Sequence, residues 1–156
     1  MYKRILLASD GSRETLVALR EGALIARTFG ARAHLLIIER GSPGTASGDG
    51  VCLVYPPSDA PDLLALGLRR LERLGVPATG EILRGEGAQI IARAAVRFRA
   101  DLVIVGHRRQ SFLKRWWTGP SGAYIIDQMP CSLMIARPTI SDEEFGAHLG
   151  DDAAVS

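Results

Sequence analysis

Asp101-Leu102-Val103-Ile104-Val105-Gly106, continued by a basic loop from His107 to Thr118 and then by Gly119-Pro120-Ser121, is the stretch that decides how this chain reads. Leu102 to Val105 is wholly apolar and rich in β-branched residues, as a strand buried on both faces should be. Gly106 ends it. The loop carries Arg108, Arg109, Lys114 and Arg115. Gly119-Pro120 opens a helix, because Pro at the first helical position needs no amide partner and its φ is already helical. Met129-Pro130 closes that helix, since the residue before Pro avoids the α region. Strand, glycine, basic loop and helix N-terminus, in that order, is how an α/β protein holds a phosphate.

The flanking sequence repeats the alternation. Arg4 to Ser9 is a near-continuous apolar run and reads as a central strand. Asp10-Gly11-Ser12 is a turn, with Ser12 the expected N-cap and Glu14 in a first turn that favours acid. Leu16, Leu19, Ala23 and Ala26 recur at helical spacing up to Gly30, a C′ residue. Ala33 to Ile38 is a second strand. Glu39 to Pro57 is rich in Gly, Ser and Pro and reads as a long, mobile loop across the mouth of any site at the strand ends. Asp59 to Gly75 is helical, with Leu64, Leu68 and Leu71 on one face. Pro77 to Leu83 is a weaker strand at a sheet edge. Ile91, Ala94, Ala95 and Phe98 mark a third helical face, and Cys131 to Arg137 a fifth strand.

The order β-α-β-α-β-α-β-α-β implies an α/β fold: a doubly wound, five-stranded parallel sheet with helices on both faces. Right-handed crossovers restrict the topology strongly, and the strand order expected is 3-2-1-4-5, with strands 1 and 4 as neighbours. Strands 1 and 4 then flank the crevice at which the winding reverses, and Asp10 and Gly106 face each other across it. Residues 1–137 form the domain. Residues 138–156 are acidic and are expected to be a loosely held tail.

Composition narrows the function. A length of 156 residues suits one domain with its own core. A net charge of +2 is too small to argue for nucleic acid or an anionic membrane surface. No apolar run approaches the length of a membrane span. Cys52 and Cys131 make neither a disulfide framework nor a metal quartet, and His34, His107 and His148 have no ligand spacing. The expected compartment is the cytoplasm, with both thiols reduced.

Ser9-Asp10-Gly11-Ser12 after the first strand, Asp101 to Gly106 as the fourth, and Cys131 to Arg137 after Met129-Pro130 together resemble the universal stress protein domain over residues 1–137. The resemblance implies a Rossmann-like fold of the adenine nucleotide alpha hydrolase type and a homodimer joined through residues 131–137. It also implies binding of ATP or AMP, with Mg²⁺ only where ATP is bound. In nucleotide-binding members the strand-4 glycine opens a pattern G-x-x-G-x9-G-[ST] whose amides and final hydroxyl hold phosphates. Gly106 matches its first glycine and Gly119 its last, while Arg109 replaces the second glycine and Pro120 the Ser/Thr. Asp10 matches the acid that meets adenosine, Ile37 the backbone contact to the base, and Ala8 and Ser9 the same turn. Pro120 removes a hydroxyl and an amide donor. Ser121 restores one of each, one place later, and Arg108 and Arg109 bring charge that pairs with phosphate.

Each candidate also has an ordinary reading. Asp10 suits a ribose contact and equally an Asx-turn at the strand-to-helix corner. The arginines suit a phosphate clamp or a solvated loop. Trp116 and Trp117 suit packing at the sheet edge more than stacking on a base. His107 reads as a surface histidine and Cys131 as a small buried hydrophobe. No nucleophile, base and orienting group can be assembled, and no metal cluster. The expected function is a stress-response protein that binds an adenine nucleotide weakly and signals through dimerisation. The alternative is an interaction module without nucleotide, facing an unnamed protein partner. A weak ATPase is the third reading.

Overall fold

The computed structural model describes residues 1–39, 58–85, 87–107 and 125–150. Five strands form one sheet: β1 (Arg4–Ser9), β2 (Arg32–Glu39), β3 (Ala78–Arg84), β4 (Leu102–Gly106) and β5 (Ser132–Ala136). All pairings are parallel and the order is β3-β2-β1-β4-β5. The helices are α1 (Arg13–Phe29), α2 (Ala60–Arg73), α3 (Gly87–Phe98), α4 (Ile125–Gln128) and α5 (Asp142–Leu149). The α/β class, the doubly wound topology and the strand order read from the sequence are those of the structure.

Both faces of the sheet are apolar, and each is covered. Ile5, Leu7, Leu35, Ile37, Leu102 and Ile104 face α1, α2 and α5. Leu6, Ala8, Leu36, Ile38, Val103 and Val105 face α3 and α4. This is why β1 and β4 read as unbroken apolar runs: alternate residues enter opposite cores. Helix α1 begins at Ser12, whose side chain accepts from Thr15 N, and ends at Gly30, whose φ of 59° suits glycine. At the N-terminal ends of the strands, Asp101 accepts from the backbone of Lys3 at 2.8 Å and of Arg4 at 3.1 Å, tying β1 to β4.

Three details differ from the sequence reading. The buried stripe of α2 is Ala60, Leu63, Gly67 and Leu71, with Leu64 and Leu68 half-buried beside it. Gly67 belongs to the stripe because α2 crosses β2 so closely that a Cβ there would lie 2.3 Å from Leu35. The third difference is at the C-terminus, where a loose tail is expected from residue 138. Asp142–Leu149 is instead a helix, started by a full capping box between Ser141 and Glu144. Phe145 anchors it, with 3% of its surface exposed. Arg20, which donates to Ile140 O and pairs with Asp142, and Arg27, which donates to His148 O, help to hold this short acidic segment against the core. The loop Glu39–Pro57, beyond Glu39 itself, and the helix start at Gly119-Pro120 lie outside the described residues.

Candidate functional site

The C-terminal ends of β1 and β4 are neighbours, with Ala8 opposite Val105 in the register. β2 lies on the other side of β1, with Ile37 opposite Ser9. The winding therefore reverses between β1 and β4, and Ser9, Asp10, Ile37 and Gly106 lie at the strand ends there.

A hydroxyl network shapes the turn after β1. Asp10 Oδ1 accepts from Ser12 N at 3.0 Å and from Thr15 Oγ1 at 2.7 Å. A carboxylate is the stronger acceptor, so the single Thr15 hydrogen is directed to it. The Ser9 hydroxyl, 2.7 Å from Thr15 Oγ1, then donates to Thr15. Ser9 Oγ in turn accepts from Gly11 N at 3.2 Å, and Ser12 Oγ accepts from Thr15 N at the same distance. Asp10 thus closes an Asx-turn, and the ordinary reading of this residue holds. The turn also fixes the direction of the carboxylate, which a binding group at this position needs.

Gly106 has a structural reason of its own. A Cβ at this position would meet Thr15 O at 2.6 Å and Thr15 Cβ at 2.9 Å. The first turn of α1 rests directly on the end of β4, and only glycine leaves room. Asp10, Thr15 and Gly106 are therefore one contact chain across the switch point. Thr15 is the member that sequence reading missed, although it lies three residues after the N-cap, on the same helical face, and is fully buried.

The other candidates divide by what their side chains do. Ala8, Ser9 and Ile37 are buried at 0%, 1% and 0% exposure, so only their backbone can meet a ligand. Arg108, Arg109, Gly119, Pro120 and Ser121, with Trp116, Trp117 and Cys52, lie outside the described residues. His107 continues the strand end by donating its amide to Ala136 O at 2.8 Å. Glu39 closes the β2 side. The Ser58 hydroxyl and then Arg84, whose Nε donates to its carboxylate at 2.5 Å, hold Glu39 below the usual carboxylate range. Burial, then the Asp101 charge, push the Cys131 thiol up, so it stays protonated, in keeping with a packing role.

Among the described residues no group of three or more His, Cys, Asp or Glu is placed to hold a metal ion. No helix among them is long and apolar enough to cross a membrane.

A family model described as "Universal stress protein family" matches residues 1–137. The universal stress protein A homolog of Haemophilus ducreyi is 30% identical over 124 residues, covering 73% of this chain and 83% of that protein. Among solved structures, a universal stress protein family member from Burkholderia pseudomallei aligns with a TM-score of 0.64 at 21% identity, over 87% of this chain and 96% of the other. A universal stress protein in complex with cAMP gives 0.61 at 19% identity, over 88% and 98%. The universal stress protein from Archaeoglobus fulgidus in complex with dAMP gives 0.61 at 18%, over 87% and 98%. At these identities the structural likeness is one of fold.

Proposed function

The chain belongs to the universal stress protein family, and we propose that it binds an adenine nucleotide at the β1/β4 switch point. The observation that carries this reading is the contact chain of Asp10, Thr15 and Gly106, which sets an oriented carboxylate beside a glycine-lined strand end. Two relatives of the same fold were crystallised with cAMP and with dAMP. In this reading Asp10 takes a ribose hydroxyl, and the backbone at Ala8, Ser9 and Ile37 frames adenosine. Gly106, Arg108, Arg109, Gly119, Pro120 and Ser121 surround the phosphates.

Arg109 and Pro120 stand where the family pattern has glycine and a hydroxyl. Each lost charged hydrogen bond is worth on the order of 1.5–3 kcal/mol, roughly ten- to hundredfold in affinity. AMP leans on the adenosine half and loses less than ATP. Mg²⁺ enters only with ATP, and hydrolysis is at most weak, because no nucleophile, base and orienting group can be assembled from the sequence around the site. Mass spectrometry of small molecules released from the purified, denatured protein tests the reading: an adenine nucleotide supports it.

The signal leaves through a homodimer in the cytoplasm. β5 is a sheet edge, and Leu133, Met134 and Ile135 on it are only half-buried. An apolar edge invites a second copy, and a two-fold pairing at residues 131–137 closes it, with Met134 near the axis. A second reading, an interaction module without nucleotide, is favoured by one observation: Asp10 and Gly106 both have structural work within the fold itself. It would meet its partner protein through the basic loop and the two tryptophans, Trp116 and Trp117.

A further inference from the structure

The net charge of +2 averages over an uneven distribution. In a parallel sheet crossed over by helices, strands start where helices end, so the end of the domain away from the switch point gathers both. Arg4 opens β1, with Lys3 just before it, and Arg32 opens β2 opposite Arg4 in the register. Arg27 and Arg73 lie in the last turns of α1 and α2, and Arg99 follows α3. All six are exposed. The acids at this end do not cancel them. Asp101 turns both carboxylate oxygens to the amides of Lys3 and Arg4, and Glu81 is taken up by Arg97 and His34. Among the described residues, Lys3, Arg4, Arg32, Arg73 and Arg99 enter no ion pair.

Part of this is ordinary. Cations in the last turn of a helix offset its dipole, which accounts for Arg27 and Arg73. It does not account for Lys3, Arg4 and Arg32 at the strand starts, or for Arg99. Helices α1, α2 and α3 end alike: Ala31 donates its amide to Ala26 O at 2.8 Å, Val76 to Leu71 O at 2.9 Å and Ala100 to Ala95 O at 2.8 Å. The residue before each donor is left-handed: Gly30 at a φ of 59°, Gly75 at 72° and Arg99 at 54°. Glycine adopts that backbone freely, whereas a side chain is strained there. Arg99 is the only non-glycine residue with a positive φ among the described residues, so a charge stands where the fold favours glycine.

We propose that this end of the domain docks on an anionic lipid bilayer. The cations call for a polyanion, and their layout suits a plane. Arg4 and Arg32 lie on the α3 side of the sheet, in the alternation set by Leu6 and Leu36, and Arg99 ends α3 itself. Arg27 and Arg73 lie on the other side, in the layer of α1 and α2. The charges thus spread across both helix layers and the sheet between them, whereas a single nucleic-acid strand wants a groove that follows its backbone. Phe29 is 42% exposed among them, its ring 5.5 Å from that of Tyr2 and nearly perpendicular to it. Aromatic rings beside cations settle at the level of lipid headgroups. The strand ends at Asp10 and Gly106 then face away from the membrane.

Co-sedimentation of the full chain with vesicles tests the proposal, using phosphatidylcholine alone and phosphatidylcholine with a third phosphatidylserine. Binding to the anionic vesicles alone is expected, weakening between about 0.05 and 0.15 M salt. Each cation near the surface contributes about fivefold to binding, so Arg4→Gln with Arg32→Gln should lose about thirtyfold. Arg99→Gly should lose about fivefold while its melting temperature holds or rises, because glycine suits that backbone. Arg13→Gln removes an exposed charge from the opposite end of α1 and should bind as the original does. Equal binding to the two kinds of vesicle, or binding to neither, overturns the proposal. So does a loss from Arg13→Gln as large as that from Arg4→Gln alone. A mixed-sequence oligonucleotide that strips the protein from the anionic vesicles overturns it too, and assigns the surface to nucleic acid.

Discussion

Gly106→Ala separates two reasons for a glycine at the end of β4. If the residue serves only the close approach of a phosphate, the substitution leaves the ligand-free protein as stable as before. The structure gives it a different duty. The added Cβ would meet Thr15 O at 2.6 Å, Thr15 Cβ at 2.9 Å and Thr15 C at 3.1 Å. Two of these are backbone atoms of the first turn of α1, which no side-chain rotation can move. Thr15 is also tied to Asp10, Ser9 and Ser12 by hydrogen bonds, so relief requires α1 to shift and the network to loosen. Overpacking of this kind costs about 1–3 kcal/mol, and a backbone clash belongs in the upper half of that range. At about 2–4 °C per kcal/mol for a chain of this size, the melting temperature should fall by about 4–12 °C. Urea unfolding of the two proteins without ligand measures it. A loss smaller than about 0.5 kcal/mol would show that α1 yields freely, and the contact chain of Asp10, Thr15 and Gly106 would lose its structural basis.

Thr15→Val keeps the shape and removes the hydroxyl, leaving Ser9 buried without its acceptor. Stability should drop by about 1–3 kcal/mol in urea unfolding, and nucleotide affinity should fall as the Asp10 turn loosens. Glu39 titrates below its ordinary value in the folded protein, through Ser58 and then Arg84. A depressed carboxylate pKa adds stability that is fully present above the unfolded value of about 4.3. That stability is lost as the pH falls from there through the folded value. Glu39→Gln should therefore be less stable than the original at neutral pH and lose that deficit in acid, as paired unfolding curves against pH would show. Met134→Asp should weaken the dimer proposed at β5 without unfolding the monomer. Sedimentation at micromolar concentration that finds only monomer in the original protein would refute the dimer.

The sheet was legible because its signals are local and agree. β1, β2 and β4 are apolar on both faces, Ser12 caps α1 and Gly30 ends it, and the intervening helices force parallel pairing. Asp10 and Gly106 come together once strands 1 and 4 are taken as neighbours, as they are in the sheet. What escaped depends on contacts distant in sequence. The reason for Gly106 lies in Thr15, far up the chain, and nothing near either residue announces it. Helix α5 hides behind an acidic composition and is held by Phe145 and by the Arg20–Asp142 pair. Arg20 did carry a signal, a charge set into the stripe of Leu16, Leu19 and Ala23. A periodicity argument that looks for apolar residues passes over it.

Titration calorimetry of the purified chain with AMP and with ATP, alongside Asp10→Ala and the double change Arg109→Gly with Pro120→Ser, tests the binding proposal most directly. The original protein should bind one nucleotide per chain at micromolar strength or weaker, AMP losing less than ATP. The double change should strengthen ATP, and Asp10→Ala should abolish binding in both backgrounds. No heat with either nucleotide in the original protein or in the double variant would contradict the proposal and leave the interaction module in its place. Nanomolar binding of ATP by the original would contradict the reading of Arg109 and Pro120 as losses.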